Sequence, residues 1–191
     1  ALLRDVTVRK DETVFLCDDS GIFSMQSNGT AMKQIVSAGD PWYVNVSPDG
    51  TKIVWDQNAW DRDAMYVANI DGSDQRFLTS APSDYYLRCH WNPTGTKIYF
   101  AGSYRMLRSI NPDGTGNAEL MPRIPGVSSC ASFKISSDGK YIAVVAHAER
   151  TVGDRSTASS DLWVGELDES VDPPRVKDWT NTTLALPKNT P

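Results

Sequence analysis

Apolar and polar positions along this chain alternate in short runs, and one phrase of that alternation recurs. Residues 46–55 read VSPDGTKIVW, residues 91–100 read WNPTGTKIYF and residues 135–144 read ISSDGKYIAV. Each is an apolar residue, a turn of small polar residues, then a short aliphatic or aromatic run. A second phrase follows each: AMYVANIDGSDQRFLT at 64–79, RMLRSINPDGTGNAEL at 105–120 and DLWVGELDESVDPPRVKDWT at 161–180. Runs rich in Val, Ile, Tyr, Phe and Trp, bounded by Pro, Asp, Asn and Gly, predict antiparallel strands joined by tight turns. No segment sustains a helical period.

The turn glycines Gly50, Gly95 and Gly139 are 45 (95 − 50) and 44 (139 − 95) residues apart, and Gly72 and Gly114 of the second phrase are 42 apart (114 − 72). With that register, residues 8–15 (VRKDETVF) match the first phrase and residues 21–36, with Asn28-Gly29 at the turn, match the second. Pro48 and Pro93 preset φ in their turns, while Asp-Gly and Asn-Gly supply the positive φ that hairpins need. Each unit therefore reads as a four-stranded meander. A lone sheet of that size cannot bury both faces, but stacking successive sheets about an axis can, which predicts an all-β fold, a β-propeller with blades of about 40–45 residues. The blades fall at about 1–38, 39–80, 81–122 and 123–180, and residues 181–191 form a C-terminal tail or, through Thr183–Leu186, an extra strand.

The paired phrases resemble the TolB-like β-propeller repeat, a relative of the WD repeat, whose consensus runs F-S-P-D-G-x-x-I-x-F and then L-Y-V-x-N-x-D-G-x-x-x-x-L-T. Residues 46–55 and 65–79 match it nearly throughout, and the resemblance covers about residues 6–180. WD repeats proper fit less well, since no Gly-His pair precedes a strand and Trp55-Asp56 stands alone. A sialidase Asp-box requires Ser-x-Asp-x-Gly, whereas Gly50 directly follows Asp49. TolB-like propellers usually close with six or more blades. Four repeats therefore imply a small ring or an arc of a larger propeller, whose open edges something else must cover. The resemblance, an N-terminal Ala1 that points to a processed or excised chain, and a surface rich in Ser, Thr and Asn imply a periplasmic, extracellular or cell-surface location.

At 191 residues the chain suffices for one domain with a real core. Its net charge of −5 is modest and its Lys and Arg are scattered, so no basic stripe for nucleic acid is present. No apolar run reaches the length of a membrane span, and no signal peptide is evident. Cys17, Cys89 and Cys130 lack metal spacing and read as buried small hydrophobes; were two of them bridged, Cys89 with Cys130 is the expected pair. Asn28 and Asn181 satisfy the glycosylation sequon.

Candidate chemistry is sparse. His90 and His147 are the only histidines and neither sits in a metal pattern; His90, beside Trp91, reads as an interior residue. There is no Gly-x-Ser-x-Gly elbow and no phosphate loop, and Gly114–Gly116 is turn chemistry. A pectic-oligosaccharide lyase of this architecture needs several histidines on a metal, more than two can supply. Asp56, Asp61 and Asp63, with Asn58 between, place oxygen ligands for calcium at close intervals, although the EF-hand spacing is unmet and a solvated loop explains them as well. The loops leading into each first strand, and those joining second to third strands, are the expected binding face of a propeller. They carry Asp40, Trp42 and Tyr43, then Tyr85, Tyr86 and Arg88, then Trp60 with Arg62, and Tyr104 with Arg105. Trp, Tyr and Arg dominate protein interfaces, and planar aromatics also suit sugar rings. Fourth-blade periodicity is broken by ERTVGDRSTASS at 149–160, which holds Arg150 and Arg155 and reads as an exposed loop or arm.

These readings converge on a non-catalytic interaction or assembly module without a resident cofactor, binding protein or glycan or a further copy of itself. Two alternatives stand beside it: the substrate-gating propeller of a larger hydrolase or lyase, and a calcium-stabilised lectin-like module.

Overall fold

The computed structural model describes residues 2–59, 62–82, 87–101, 106–121, 123–152 and 155–182, apart from the side chains at 59, 82, 148–152 and 155–159. All regular structure among them is strand, arranged as four antiparallel sheets, each of four strands consecutive in the chain. Blade one comprises β1 (Asp5–Val8), β2 (Thr13–Asp18), β3 (Gly21–Gln26) and β4 (Lys33–Ser37), and blade two comprises β5 (Pro41–Val46), β6 (Lys52–Ala59), β7 (Arg62–Asn69) and β8 (Arg76–Pro82). Blade three is narrow: β9 (His90–Trp91), β10 (Ile98–Ala101), β11 (Leu107–Ile110) and β12 (Ala118–Glu119). Blade four is long: β13 (Ser129–Ile135), β14 (Tyr141–Val152), β15 (Arg155–Asp168) and β16 (Arg175–Asn181).

The repeated turn phrase closes itself with its own side chains. Ser47 Oγ donates to Asp49 Oδ1 at 2.6 Å and accepts from the Lys52 N–H at 2.9 Å, while Gly50 N–H donates to Ser47 O. Blade four repeats the device with Ser136 Oγ, which donates to Asp138 at 2.6 Å and accepts from the Tyr141 N–H at 2.9 Å. In blade three Asn92 takes the serine's place, its Oδ1 accepting from the Lys97 N–H at 3.0 Å. Such local side-chain bonds are why Ser, Asn and Asp favour turns over ladders. Gly50 sits at φ +71° with the Arg9 side chain against it, and the turns stack around the molecule, Pro48 against Gly95 and Pro93 against Gly139.

Three buried clusters lie between successive blades. Phe15, Cys17, Ile22 and Val36 of blade one meet Val44, Ile53, Trp55 and Ala68 of blade two. Val54, Met65 and Val67 of blade two meet Leu87, Trp91 and Phe100 of blade three. Tyr99, Leu107 and Leu120 of blade three meet Phe133, Ile142 and Val144 of blade four. Among the described residues no buried cluster joins blade four to blade one. All three cysteines are buried free thiols, so the Cys89–Cys130 bridge does not form. The interior lifts the Cys17 thiol to about 12 and the Cys130 thiol to about 11, burial being the leading cause in both.

One sequence expectation needs refining. Rather than a loop, residues 149–160 continue the β14–β15 ladder, whose last pair is Val152↔Arg155, so the insertion is a hairpin arm. Thr, Val and Ser suit a pleated strand, and only two residues connect the two sides.

Candidate functional site at the axis of the blades

The first strands of all four blades end on one cavity of about 400 Å³. Its wall takes Lys10 from blade one, Asn45 from blade two, His90 and Asn92 from blade three, and Lys134 and Ser136 from blade four. These positions are related by the repeat: Asn45, His90 and Lys134 each precede the apolar residue that opens the turn phrase, and Lys10, Pro48, Pro93 and Ser137 occupy one turn position. Stacking the blades thus gathers one residue per repeat around a funnel.

His90 lies edge-on to the Phe133 ring of blade four, with centroids 5.2 Å apart, and its Nε2 is 3.4 Å from Lys134 Nζ. Burial first, then the charges of Lys134 and Arg88, lowers the imidazole to about 4. The ring is therefore neutral at neutral pH and its Nε2 accepts from the Lys134 ammonium. Lys10 and Lys134 are exposed and no carboxylate lines the wall. The neighbouring acids are already engaged: Glu169 accepts from Asn92 Nδ2 at 3.1 Å and from the Tyr99 hydroxyl at 2.6 Å, and Asp138 accepts from Ser136. With the Asn92 amide and the Ser136 hydroxyl already donating to Glu169 and Asp138, it is the two exposed ammonium groups beside one concavity that suit a carboxylate or another anion.

Polar clamps hold the first strands in place above the funnel. Asp5 Oδ2 of blade one accepts the Val44 N–H of blade two at 3.0 Å. Asn45 of blade two accepts from blade three twice, through Oδ1 from the Trp91 N–H at 3.3 Å and through its carbonyl from Trp91 Nε1 at 3.2 Å. Asp56, wholly buried on β6, accepts the Tyr43 N–H at 2.7 Å and the Leu87 N–H at 3.0 Å, joining blades two and three. Desolvation, with the nearby Asp63 charge, pushes its carboxyl up to about 7 against those backbone bonds.

No protein-family profile and no curated protein sequence matches the chain. Solved structures do. A putative TolB from Agrobacterium tumefaciens superposes with a TM-score of 0.66 at 15% identity over 93% of this chain and 65% of its own. TolB from Acinetobacter baumannii gives 0.66 at 16% identity over 91% of this chain and 43% of its own. The β-propeller domain of the Trilobed protease from Pyrococcus furiosus, an open velcro topology, gives 0.60 at 15% identity over 94% and 56%. The fold is a TolB-like β-propeller. The chain spans less than two thirds of each of these structures, and 16% of the tricorn protease, which it matches with a TM-score of 0.67 at 11% identity over 91% of this chain.

On this TolB-like propeller the sequence-predicted aromatic residues divide. Trp42 is half-buried beneath the Arg4 guanidinium of blade one, 4.2 Å from its ring centre; Arg4 also pairs with the Asp40 carboxylate, which accepts from Trp42 Nε1 at 3.3 Å. Tyr43 is roofed by Arg88, 5.3 Å from its ring centre. Both aromatics are thus knit into blade junctions by an arginine from a neighbouring blade. Arg62 opens β7 and is exposed. Trp60, Asp61, Tyr85, Tyr86, Tyr104 and Arg105 lie outside the described residues, as do the side chains of Arg150 and Arg155. Of the acidic trio, Asp56 spends both oxygens on backbone N–H groups, Asp63 is buried beside it, and among the described residues no group of three metal-ligating side chains forms. His147 on β14 stands opposite Ser160 on β15, with Nδ1 3.0 Å from Oγ, a cross-strand pair the sequence did not disclose. No helix of the described residues is long and apolar enough to cross a membrane.

Proposed function

We propose that this chain is a non-catalytic binding module of the TolB-like propeller type, working outside the cytoplasm, and that its axial funnel receives a carboxylate-bearing segment of a protein partner. The observation that carries this reading is the funnel itself, where every blade contributes and Lys10 and Lys134 face a wall without carboxylates. The extracytoplasmic location rests on the likeness to TolB proteins. Fluorescence anisotropy with a labelled hexaglutamate peptide tests the reading. Binding should weaken with salt and fall at least about tenfold, 1.4 kcal/mol, in a Lys10→Glu/Lys134→Glu variant. Salt-independent binding, or an unchanged affinity in that variant, refutes it.

A second reading is favoured by the neighbours described as proteases and by an oligogalacturonate lyase in complex with manganese, matched with a TM-score of 0.57 at 18% identity over 88% of this chain and 49% of its own. There the propeller would admit substrate to a catalytic domain, and an anionic oligosaccharide would enter the same funnel. Trigalacturonate in place of hexaglutamate separates the two: tighter binding of the sugar acid favours the second.

A further inference from the structure

The chain holds two Asn-x-Thr sequons, Asn28-Gly29-Thr30 and Asn181-Thr182-Thr183, and the fold treats them differently. Asn181 ends β16, half-buried and paired with Trp163 in the ladder. Asn28 stands at the tip of the β3–β4 hairpin, where residues 26–34 are all exposed. That hairpin is one of three copies of a single turn. Gln26, Asn69 and Asn111 each donate their N–H to the carbonyl four residues on at 2.9 Å, and their own carbonyls accept from Gly29, Gly72 and Gly114 at 2.8–2.9 Å. The three glycines share one conformation, with φ of +83°, +84° and +89°. Within each turn one side-chain oxygen accepts two bonds from the residue two positions on. Asn28 Oδ1 takes the Thr30 N–H at 3.0 Å and hydroxyl at 2.7 Å, Asp71 Oδ1 takes those of Ser73 at 2.9 and 2.7 Å, and Asp113 Oδ1 takes those of Thr115 at 2.9 and 2.6 Å. The turn therefore closes on an oxygen alone, as Asp71 and Asp113 show. What Asn28 adds is an amide nitrogen, and among the described residues nothing accepts from it. Its exposure does not depend on where the chain begins. The preceding blade packs on Gly72 through the Ile35 carbonyl and on Gly114 through Leu78, yet Asp71 and Asp113 remain exposed. A blade ahead of blade one would by the same geometry leave Asn28 in solvent.

We propose that Asn28 is the acceptor of an N-linked glycan, taken from an oligosaccharide carried on a lipid pyrophosphate. In that transfer Nδ2 forms a bond to the anomeric carbon of the sugar while the bond from that carbon to the phosphate oxygen breaks. The lipid pyrophosphate leaves and Nδ2 gives up one proton. Gly29 meets the sequon's middle position, which excludes only proline, and Thr30 supplies an exposed hydroxyl already directed at the carboxamide. Both bonds that close the turn run to Oδ1, so the fold keeps them when a sugar hangs from Nδ2. A sugar on Asn181 would instead have to fit a half-buried strand position. Occurrence of the transfer in the chain's own host rests on the extracytoplasmic reading above.

Secretion of the full 191-residue chain from cultured animal cells, behind an added secretion signal, tests the acceptor apart from the native compartment. The wild-type protein should migrate faster on a gel after treatment with peptide N-glycosidase, and mass spectrometry of the peptide spanning residue 28 should then find Asp in place of Asn. Asn28→Asp should be secreted without that shift and with unchanged near-ultraviolet circular dichroism, because Asp71 and Asp113 close the same turn. Thr30→Ser should keep the shift and Thr30→Ala should lose it. Wild-type protein secreted without sugar on Asn28 overturns the proposal, and so does a shift that is unchanged in Asn28→Asp, which would put the sugar on Asn181. A chain glycosylated at Asn28 in this assay but found in the cytoplasm of its own host sinks the location and leaves the acceptor standing.

Discussion

Asp56→Asn tests how the blades are held together. The carboxyl is wholly buried, accepts the Tyr43 and Leu87 N–H groups, and has been pushed from an ordinary 3.8 to about 7, chiefly by burial. A raised carboxyl binds its proton more tightly folded than unfolded. Its contribution is therefore present in full at acid pH and is lost as pH rises from about 4 to about 7, worth roughly 4 kcal/mol at 1.36 kcal/mol per pH unit. His90 acts oppositely, because an imidazole lowered to about 4 makes the fold gain stability as pH rises toward its ordinary 6.5. The raw wild-type profile is thus the sum of two opposed slopes. Asparagine keeps the size of Asp56 and one acceptor oxygen but cannot ionise, and its amino group faces one of the two backbone donors, costing about 1–3 kcal/mol. Urea denaturation followed by tryptophan fluorescence, run for both proteins between about pH 4 and pH 8, isolates the residue, since His90 cancels in the difference. Wild type should be the more stable at the acid end, and its advantage should shrink by roughly 4 kcal/mol and reverse by the alkaline end. An advantage that stays constant, or grows with pH, would show Asp56 to be an ionised acceptor instead of a carboxyl raised by burial.

Other outcomes follow from the same geometry. Tyr99→Phe removes the 2.6 Å bond to Glu169 that ties blade three to the turn after β15, and should cost about 1.5–3 kcal/mol in chemical denaturation, as expected for a bond to a charged group. Gly72→Ala should cost more than about 2 kcal/mol, because the site sits at φ +84° and an added Cβ would stand 1.8 Å from the Ile35 carbonyl oxygen, backbone that cannot step aside. Cys17, Cys89 and Cys130 should resist a thiol-reactive dye in the folded protein, and all three should titrate in denaturant; prompt reaction of any one in the native state would contradict their burial.

The repeat was legible because its turn demands particular residues. Ser47, Asn92 and Ser136 bond the same backbone position, so spacing alone placed the sheets. Blade one was harder to read because its first turn is one residue shorter, Val8 pairing with Val14 where Val46 pairs with Ile53. Ser, Thr and Gly left residues 149–160 open between an exposed loop and an arm, although Gly153-Asp154 between β-branched and polar runs is a two-residue hairpin signal. His90, read as an interior residue, is half-buried against Phe133 and lines the funnel wall. Asp56 was read as a loop acid because its partners, Tyr43 and Leu87, lie 13 and 31 residues away and meet it only when the blades stack. The funnel was equally invisible in any single repeat. Asn45, His90 and Lys134 share little chemistry, and only their common place in the phrase sets them side by side.

The most direct measurement of the funnel's role is an amide-resolved NMR titration of the protein with unlabelled hexaglutamate. A carboxylate held in the funnel should shift the amides at the ends of the first strands and no others, at Asn45, His90, Asn92 and Lys134 with Lys10. Shifts centred instead on the loops leading into those strands, around Trp42, Tyr43 and Arg88, or no shift at all, would contradict it.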